Sequence, residues 1–192
     1  MNLPNKLTLL RIILVPFFVA AMLIEFPLHY LAALVIFAAA SITDLLDGKI
    51  ARKRGLVTNF GKFSDPLADK ILVMSALLCM VQLGICDCII VIVVLFREFA
   101  VTSVRLLAAS EGKVVAANIW GKVKTVTQMV AIIIIFVLQI ILEILSLCKV
   151  GIPVLSTAFF IVGEVLLWIS TLFCIISGVI YLNDNKEFIS LK

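Results

Sequence analysis

Long apolar runs bounded by charged residues dominate the chain, near residues 8–24, 30–51, 66–83, 86–108, 122–147 and 154–182. A bilayer core is crossed by a helix of about 20 mostly apolar residues, so each run is long enough to be one span. The chain has 192 residues and 64% are hydrophobic, whereas a soluble domain carries roughly 45–50% apolar residues. An ordinary soluble protein is thereby excluded. The pattern predicts an all-α, polytopic membrane protein with six transmembrane helices in one membrane domain, residues 1–192. Lys6 and Arg11 before the first run imitate a secretory signal, but no small-residue cleavage site follows before Glu25, Pro27 and His29. The first run is therefore expected to be a retained helix.

Basic residues orient such a bundle, because Lys and Arg accumulate on the cytoplasmic side of short loops. With six spans, fourteen of the sixteen basic residues fall on one face, and the opposite loops hold only Lys149. Both termini are expected in the cytoplasm. The five cysteines show no paired metal-ligand spacing, and all five read as small buried hydrophobes, although Cys86 and Cys88 are close enough to an outer loop for a disulfide to be conceivable.

An ionisable residue within a span costs about 3 kcal/mol or more and marks a functional position by default. Four of the six aspartates, Asp44, Asp47, Asp65 and Asp69, lie within 26 residues. Asp44, Asp47, Gly48, Ala51 and Arg52 share one face of the second predicted helix, and Asp65 and Asp69 share a face of the third. Four converging carboxylates repel unless a cation neutralises them. All-oxygen ligands select hard cations, so Mg²⁺ or Mn²⁺ is expected, as one ion or as a pair about 3.5–4 Å apart. Gly48, Ala51 and Gly61 leave room for a bulky ligand or a second helix at the backbone. Blander readings exist for single residues. Asp65 before Pro66 suits a helix N-cap, and Lys49, Arg52, Lys53 and Arg54 suit topology anchors. Neither explains Asp44, Asp47 and Asp69.

The spacing Asp44-x-x-Asp47-Gly48-x-x-Ala51-Arg52, eight intervening residues, then Gly61-x-x-x-Asp65-x-x-x-Asp69 resembles the complete signature of the CDP-alcohol phosphatidyltransferase family. No signature position departs from it. The segment Asn5-Lys-Leu-Thr8-Leu-Leu-Arg11, the segment from Arg97 to Arg105 and that from Gly121 to Gln128 resemble the bacterial branch that makes phosphatidylglycerophosphate. Beyond residue 128 the chain reads as generic membrane helix, with no role for Glu143 or Glu164.

The resemblance implies transfer of a phosphatidyl group from CDP-diacylglycerol to sn-glycerol 3-phosphate, with release of CMP, at the cytoplasmic side of the inner membrane. Asp44, Asp47 and Asp65 would hold the metal, and Asp69 would serve as general base and as ligand to a second ion. Gly48, Ala51, Arg52, Thr58 and Gly61, with Asn5, Thr8 and Arg11 behind them, would receive the donor. Arg97, Arg105, Lys122 and Lys124 suit the phosphate of the acceptor, which Arg engages as a planar fork and Lys as a point charge. Arg105, Lys122 and Lys124 equally suit topology anchors, and Arg97 a pairing with Glu98. Expected partners are these substrates, membrane lipid and, from the resemblance, a second copy in a homodimer, with no nucleic acid. Inositol phosphate, serine and a second phosphatidylglycerol are rival acceptors, and serine lacks the phosphate those cations suit. A cation transporter would instead carry its charges near the midplane on a path to both faces, and a purely structural protein leaves the carboxylates unexplained.

Overall fold

The structure, a computed structural model, describes residues 3–54, 59–113, 115, 118–151 and 153–188, with side chains at these positions except 3–4, 44–66 and 69. The described residues form six α-helices and no strand: α1 (Leu3–Leu23), α2 (His29–Arg54), α3 (Asn59–Gln82), α4 (Cys88–Ser110), α5 (Ile119–Leu147) and α6 (Pro153–Asp184), followed by a short 3₁₀ turn at Lys186–Phe188. Each helix covers one of the apolar runs. Even α1, with 21 residues, extends about 32 Å at 1.5 Å per residue, enough for a hydrocarbon core about 30 Å thick. Apolarity is less uniform than length. Asn5–Leu23, Ile119–Leu147 and Pro153–Asp184 are long and apolar enough to cross a membrane. In α2 and α3 the apolar stretch shortens to His29–Thr43 and Lys70–Gln82, because the aspartate motif occupies the remainder, and α4 carries Arg97, Glu98 and Arg105.

One boundary departs from expectation. Helix α3 starts at Asn59, so Asp65 lies inside it and is not its N-cap. A proline removes a single backbone donor, and α3 continues through Pro66 as α1 continues through Pro16. The cysteines need correcting as well. Cys79, Cys86 and Cys174 are buried, but Cys88 and Cys148 are exposed, and all five are free thiols. Cys88 opens α4 and Cys148 caps α5, and positions at helix ends have little packed around them.

Helix α6 turns small residues inward and large apolar ones outward. Along α6 the buried positions are Gly163, Leu167, Ser170, Thr171, Cys174, Ser177, Gly178 and Tyr181, a helical stripe that is mostly small or hydroxyl-bearing. Large apolar side chains such as Val154, Ile161, Leu172 and Val179 face outward. Small residues allow helices to approach closely where lipid supplies no hydrophobic drive for their association; a Cβ on Gly163 would sit 3.2 Å from Ile135 Cγ1. At the centre, Phe18 of α1, Phe37 of α2 and Phe136 of α5 form a ring cluster with centroids 5.7–6.0 Å apart.

Glu143, which had no assigned role, fastens α5 to α2. The first amides of a helix lack intrahelical acceptors, and the residue before α2 is a leucine at φ 63°, which offers no capping oxygen. Glu143 supplies both carboxylate oxygens instead, accepting from the His29 amide at 3.0 Å and the Tyr30 amide at 3.4 Å. Replacing Glu143 with Leu should destabilise the protein by about 1–3 kcal/mol, and Gln, which keeps one acceptor oxygen, by less. Thermal unfolding in detergent measures both; equal midpoints for wild type and Glu143→Leu would exclude the cap.

Candidate active site

Helices α2 and α3 carry the aspartate motif on adjoining ends. Residues 44–52 occupy the last turns of α2, and residues 61–69 lie in the first turns of α3. Only residues 55–58 connect Arg54 to Asn59, so chain length alone keeps those two ends within about 19 Å. Continuation of α3 back to Asn59 puts residues 61, 65 and 69 on successive turns of one helix. The side chains of Asp44, Asp47, Gly48, Ala51, Arg52, Gly61, Asp65 and Asp69 lie outside the described residues, as does Thr58 altogether. Among the described residues no three His, Cys, Asp or Glu side chains group as a metal site.

The three donor-side candidates on α1 are in place. Asn5, Thr8 and Arg11 recur at helical spacing and all are buried, Thr8 and Arg11 at 0% exposure. Arg11 Nε donates to the carbonyl of Ala40 at 3.3 Å, one turn before Asp44 on α2. A guanidinium wholly withdrawn from solvent is costly unless its position is used. Here it directs a fixed positive charge toward the motif end of α2.

The four acceptor-side candidates come together. Arg97, Arg105, Lys122 and Lys124 all line one cavity of about 890 Å³. Arg97 lies near the middle of α4 and Arg105 toward its end, the lysines lie in the first turns of α5, and both helices pack against α6. Sequence reasoning missed a fifth cation in this wall, Lys70. It follows Asp69 directly in the chain, and Val73, one turn beyond Asp69 on the same side of α3, also lines the cavity. The cation-lined cavity therefore begins at the edge of the aspartate motif.

Glu98 is the one carboxylate among the described residues lining this cavity. Its Oε1 lies 2.8 Å from both Arg97 Nη1 and Lys124 Nζ, and its Oε2 lies 3.7 Å from Lys70 Nζ. Lys70 also donates to Thr102 Oγ1, which in turn donates to the Glu98 carbonyl. The sequence foresaw a pairing of Arg97 with Glu98 as an alternative to a substrate contact; the structure has the pair and the cavity lining together. Helix α6 completes the support. Ser177 Oγ accepts from Arg97 Nη2 at 2.7 Å, and the Tyr181 hydroxyl accepts from Arg105 Nε at 3.2 Å. The Arg105 guanidinium also rests 5.6 Å from the Tyr181 ring centroid. Gly178 makes space for the arginine stem, since a Cβ there would meet Arg97 Cγ at 3.0 Å. These α6 residues had a legible signal, a Ser-Gly pair and a tyrosine one turn on within an apolar helix.

Two buried donors on the cavity wall, Arg97 Nε and Gln128 Nε2, have no hydrogen-bond partner among the described residues. Buried polar groups are nearly always satisfied. Unused donors beside five cations suit an anion with several oxygens.

Comparison with known proteins agrees with that chemistry. Residues 1–176 match the CDP-alcohol phosphatidyltransferase family. The chain is 42% identical to a CDP-diacylglycerol–glycerol-3-phosphate 3-phosphatidyltransferase of Bacillus subtilis, over 97% of this chain and 96% of that protein. A protein of the same name from Rickettsia bellii is 37% identical over 97% of each chain, and one from Haemophilus influenzae is 39% identical over 68% of this chain and 73% of its own. The chain belongs to the CDP-alcohol phosphatidyltransferase family.

Inorganic phosphate should therefore raise the thermal unfolding midpoint of the purified protein, as a ligand of the folded state does. Gly178→Leu, which fills the space of the Arg97 stem, should remove most of that shift. An equal rise in wild type and variant would place the phosphate elsewhere.

Proposed function

We propose that this chain transfers the phosphatidyl group of CDP-diacylglycerol to sn-glycerol 3-phosphate, giving phosphatidylglycerophosphate and CMP. The observation that carries the reading is the cation-lined cavity opening beside the aspartate motif. It suits an acceptor that bears a phosphate and must present a hydroxyl to a neighbouring centre. The names of the relatives agree.

In this reading the primary hydroxyl of the acceptor attacks the lipid-side phosphorus. A bond forms from the acceptor oxygen to that phosphorus, the bond from phosphorus to the CMP oxygen breaks, and CMP leaves with the electron pair. Asp69 takes the hydroxyl proton; a carboxylate is a weak base for an alcohol, so it acts by orientation and late proton acceptance. Arg97, Arg105, Lys122 and Lys124 hold the acceptor phosphate. Gly48, Ala51, Arg52, Thr58 and Gly61 receive the nucleotide end of the donor, with Asn5, Thr8 and Arg11 behind them.

The donor set fits a hard divalent cation, because it consists of carboxylates from two helix ends joined by a short connection. Asp44, Asp47 and Asp65 would hold Mg²⁺ or Mn²⁺, with Asp69 shared by a second ion. Such an ion, when bound, offsets the charge of the pyrophosphate and of departing CMP.

The same reading makes residues 1–192 one membrane domain in which all six helices span the inner membrane. The termini and the active site face the cytoplasm, the side on which the basic residues accumulate. The acyl chains of the donor stay in lipid between helices, and two copies associate as a homodimer.

Asp69→Asn should lower CMP release by about 10²–10⁴ while the protein still inserts and unfolds cooperatively; near-normal turnover would remove Asp69 as the base. With CDP-diacylglycerol and a panel of acceptors, turnover is expected with sn-glycerol 3-phosphate. Turnover with inositol phosphate and none with glycerol 3-phosphate would overturn the acceptor assignment. Chelation should abolish activity, and Mg²⁺ or Mn²⁺ should restore it.

A further inference from the structure

We propose that Glu98 is a positioning residue for the acceptor: it assembles the cations that receive the acceptor phosphate, and so governs affinity for the acceptor and not for the lipid donor. The inference rests on the reading of the cavity as the acceptor site.

A carboxylate in the wall of an anion receptor works, by its charge alone, against the ligand. Its position shows what it contributes instead. Glu98 touches Lys70 of α3, Arg97 of its own helix and Lys124 of α5, so one side chain joins the cations of three helices. Lys124 is 7% exposed and Arg97 11%. Buried cations so close together and without a counter-ion repel one another and withdraw toward water. Glu98 holds them in place against that repulsion.

The pairing is also incomplete in a useful way. Arg97 and Lys124 share the single oxygen Oε1, and among the described residues Oε2 has only the longer contact to Lys70. One negative charge serves three positive ones, and Arg105 and Lys122, also on the cavity wall, make no contact with Glu98. The site therefore keeps a positive excess for a phosphate dianion. A matched set of carboxylates would have consumed it.

Steady-state kinetics on the full-length protein, varying CDP-diacylglycerol and sn-glycerol 3-phosphate separately, tests this. Glu98→Gln keeps the shape and removes the charge. Its KM for glycerol 3-phosphate should rise about tenfold or more, the loss expected for a charged hydrogen-bond anchor, with the donor KM within about twofold of wild type. Glu98→Asp, which keeps the charge on a shorter stem, should be intermediate, at about threefold. A glycerol 3-phosphate KM that is unchanged or lower in Glu98→Gln, or a parallel rise in both KM values, overturns the proposal. Should Glu98→Gln not accumulate as folded protein, Glu98→Asp carries the test alone, and a wild-type KM for the acceptor in it overturns the proposal. Absence of wild-type turnover with glycerol 3-phosphate would instead reject the acceptor reading itself.

Discussion

Charge cannot be left unpaired among membrane helices, and the Glu98 network is where this bundle meets that constraint most heavily. Two cations within about 6 Å of one another repel by about 3 kcal/mol at an effective dielectric of about 20, and Arg97 and Lys124 share one oxygen of Glu98. Without the carboxylate, the middle of α4 and the start of α5 would be pushed apart where Ser177 and Gly178 bring α6 against Arg97. Buried ion pairs are weak contributors to net stability, because desolvation offsets their attraction. This network is better understood as fixing which helices meet, and at what height, than as strengthening the bundle. A cavity walled by charged side chains from α3, α4 and α5 follows from that register.

The opposite end of the bundle follows the same rule with the charge sign reversed. Glu143 lies in the long apolar helix α5, and its carboxylate accepts from the first two amides of α2. Between the two ends, small inward-facing residues of α6 allow contact without large side chains. The bundle is thus held at both ends by polar contacts between helices distant in sequence and packed in the middle by shape.

How much of this was legible depends on the range of the interaction. The helices and the aspartate motif are written in local patterns, an apolar run or a spacing of three and four residues, and these the sequence states openly. The convergence of Arg97, Arg105, Lys122 and Lys124 was legible as chemistry, since each cation in an apolar context needs a reason. Lys70 was hidden because it read as one of six basic residues on the cytoplasmic face, and only packing shows that its ammonium turns toward Glu98 and Thr102. Glu143, Ser177 and Tyr181 stand out locally as polar residues in apolar helices, but their partners were illegible for a related cause: they lie 114, 80 and 76 residues away, and nothing local specifies those pairings. Asp65 was misjudged as a potential cap because a proline after an acidic residue is a local signal that the longer helix α3 overrides.

The separation of charge at the motif end has a chemical consequence in the proposed reaction. Donor and acceptor both arrive as anions, and bringing two phosphate-bearing groups together in a medium of low dielectric is opposed by their repulsion. Four carboxylates and five cations placed at random would neutralise one another and leave nothing for either substrate. Here the four aspartates belong to α2 and the start of α3, whereas the five cavity cations are Lys70 and those of α4 and α5. Asp69 and Lys70, adjacent in sequence, mark the boundary. Helical geometry sets neighbouring residues about 100° apart around α3, so one turn of helix can serve a metal-binding site on one flank and a phosphate-binding site on the other. In that reading the two sites differ in charge although Asp69 and Lys70 are neighbours in the chain, so an acceptor held by its phosphate has its hydroxyl close to the aspartate motif.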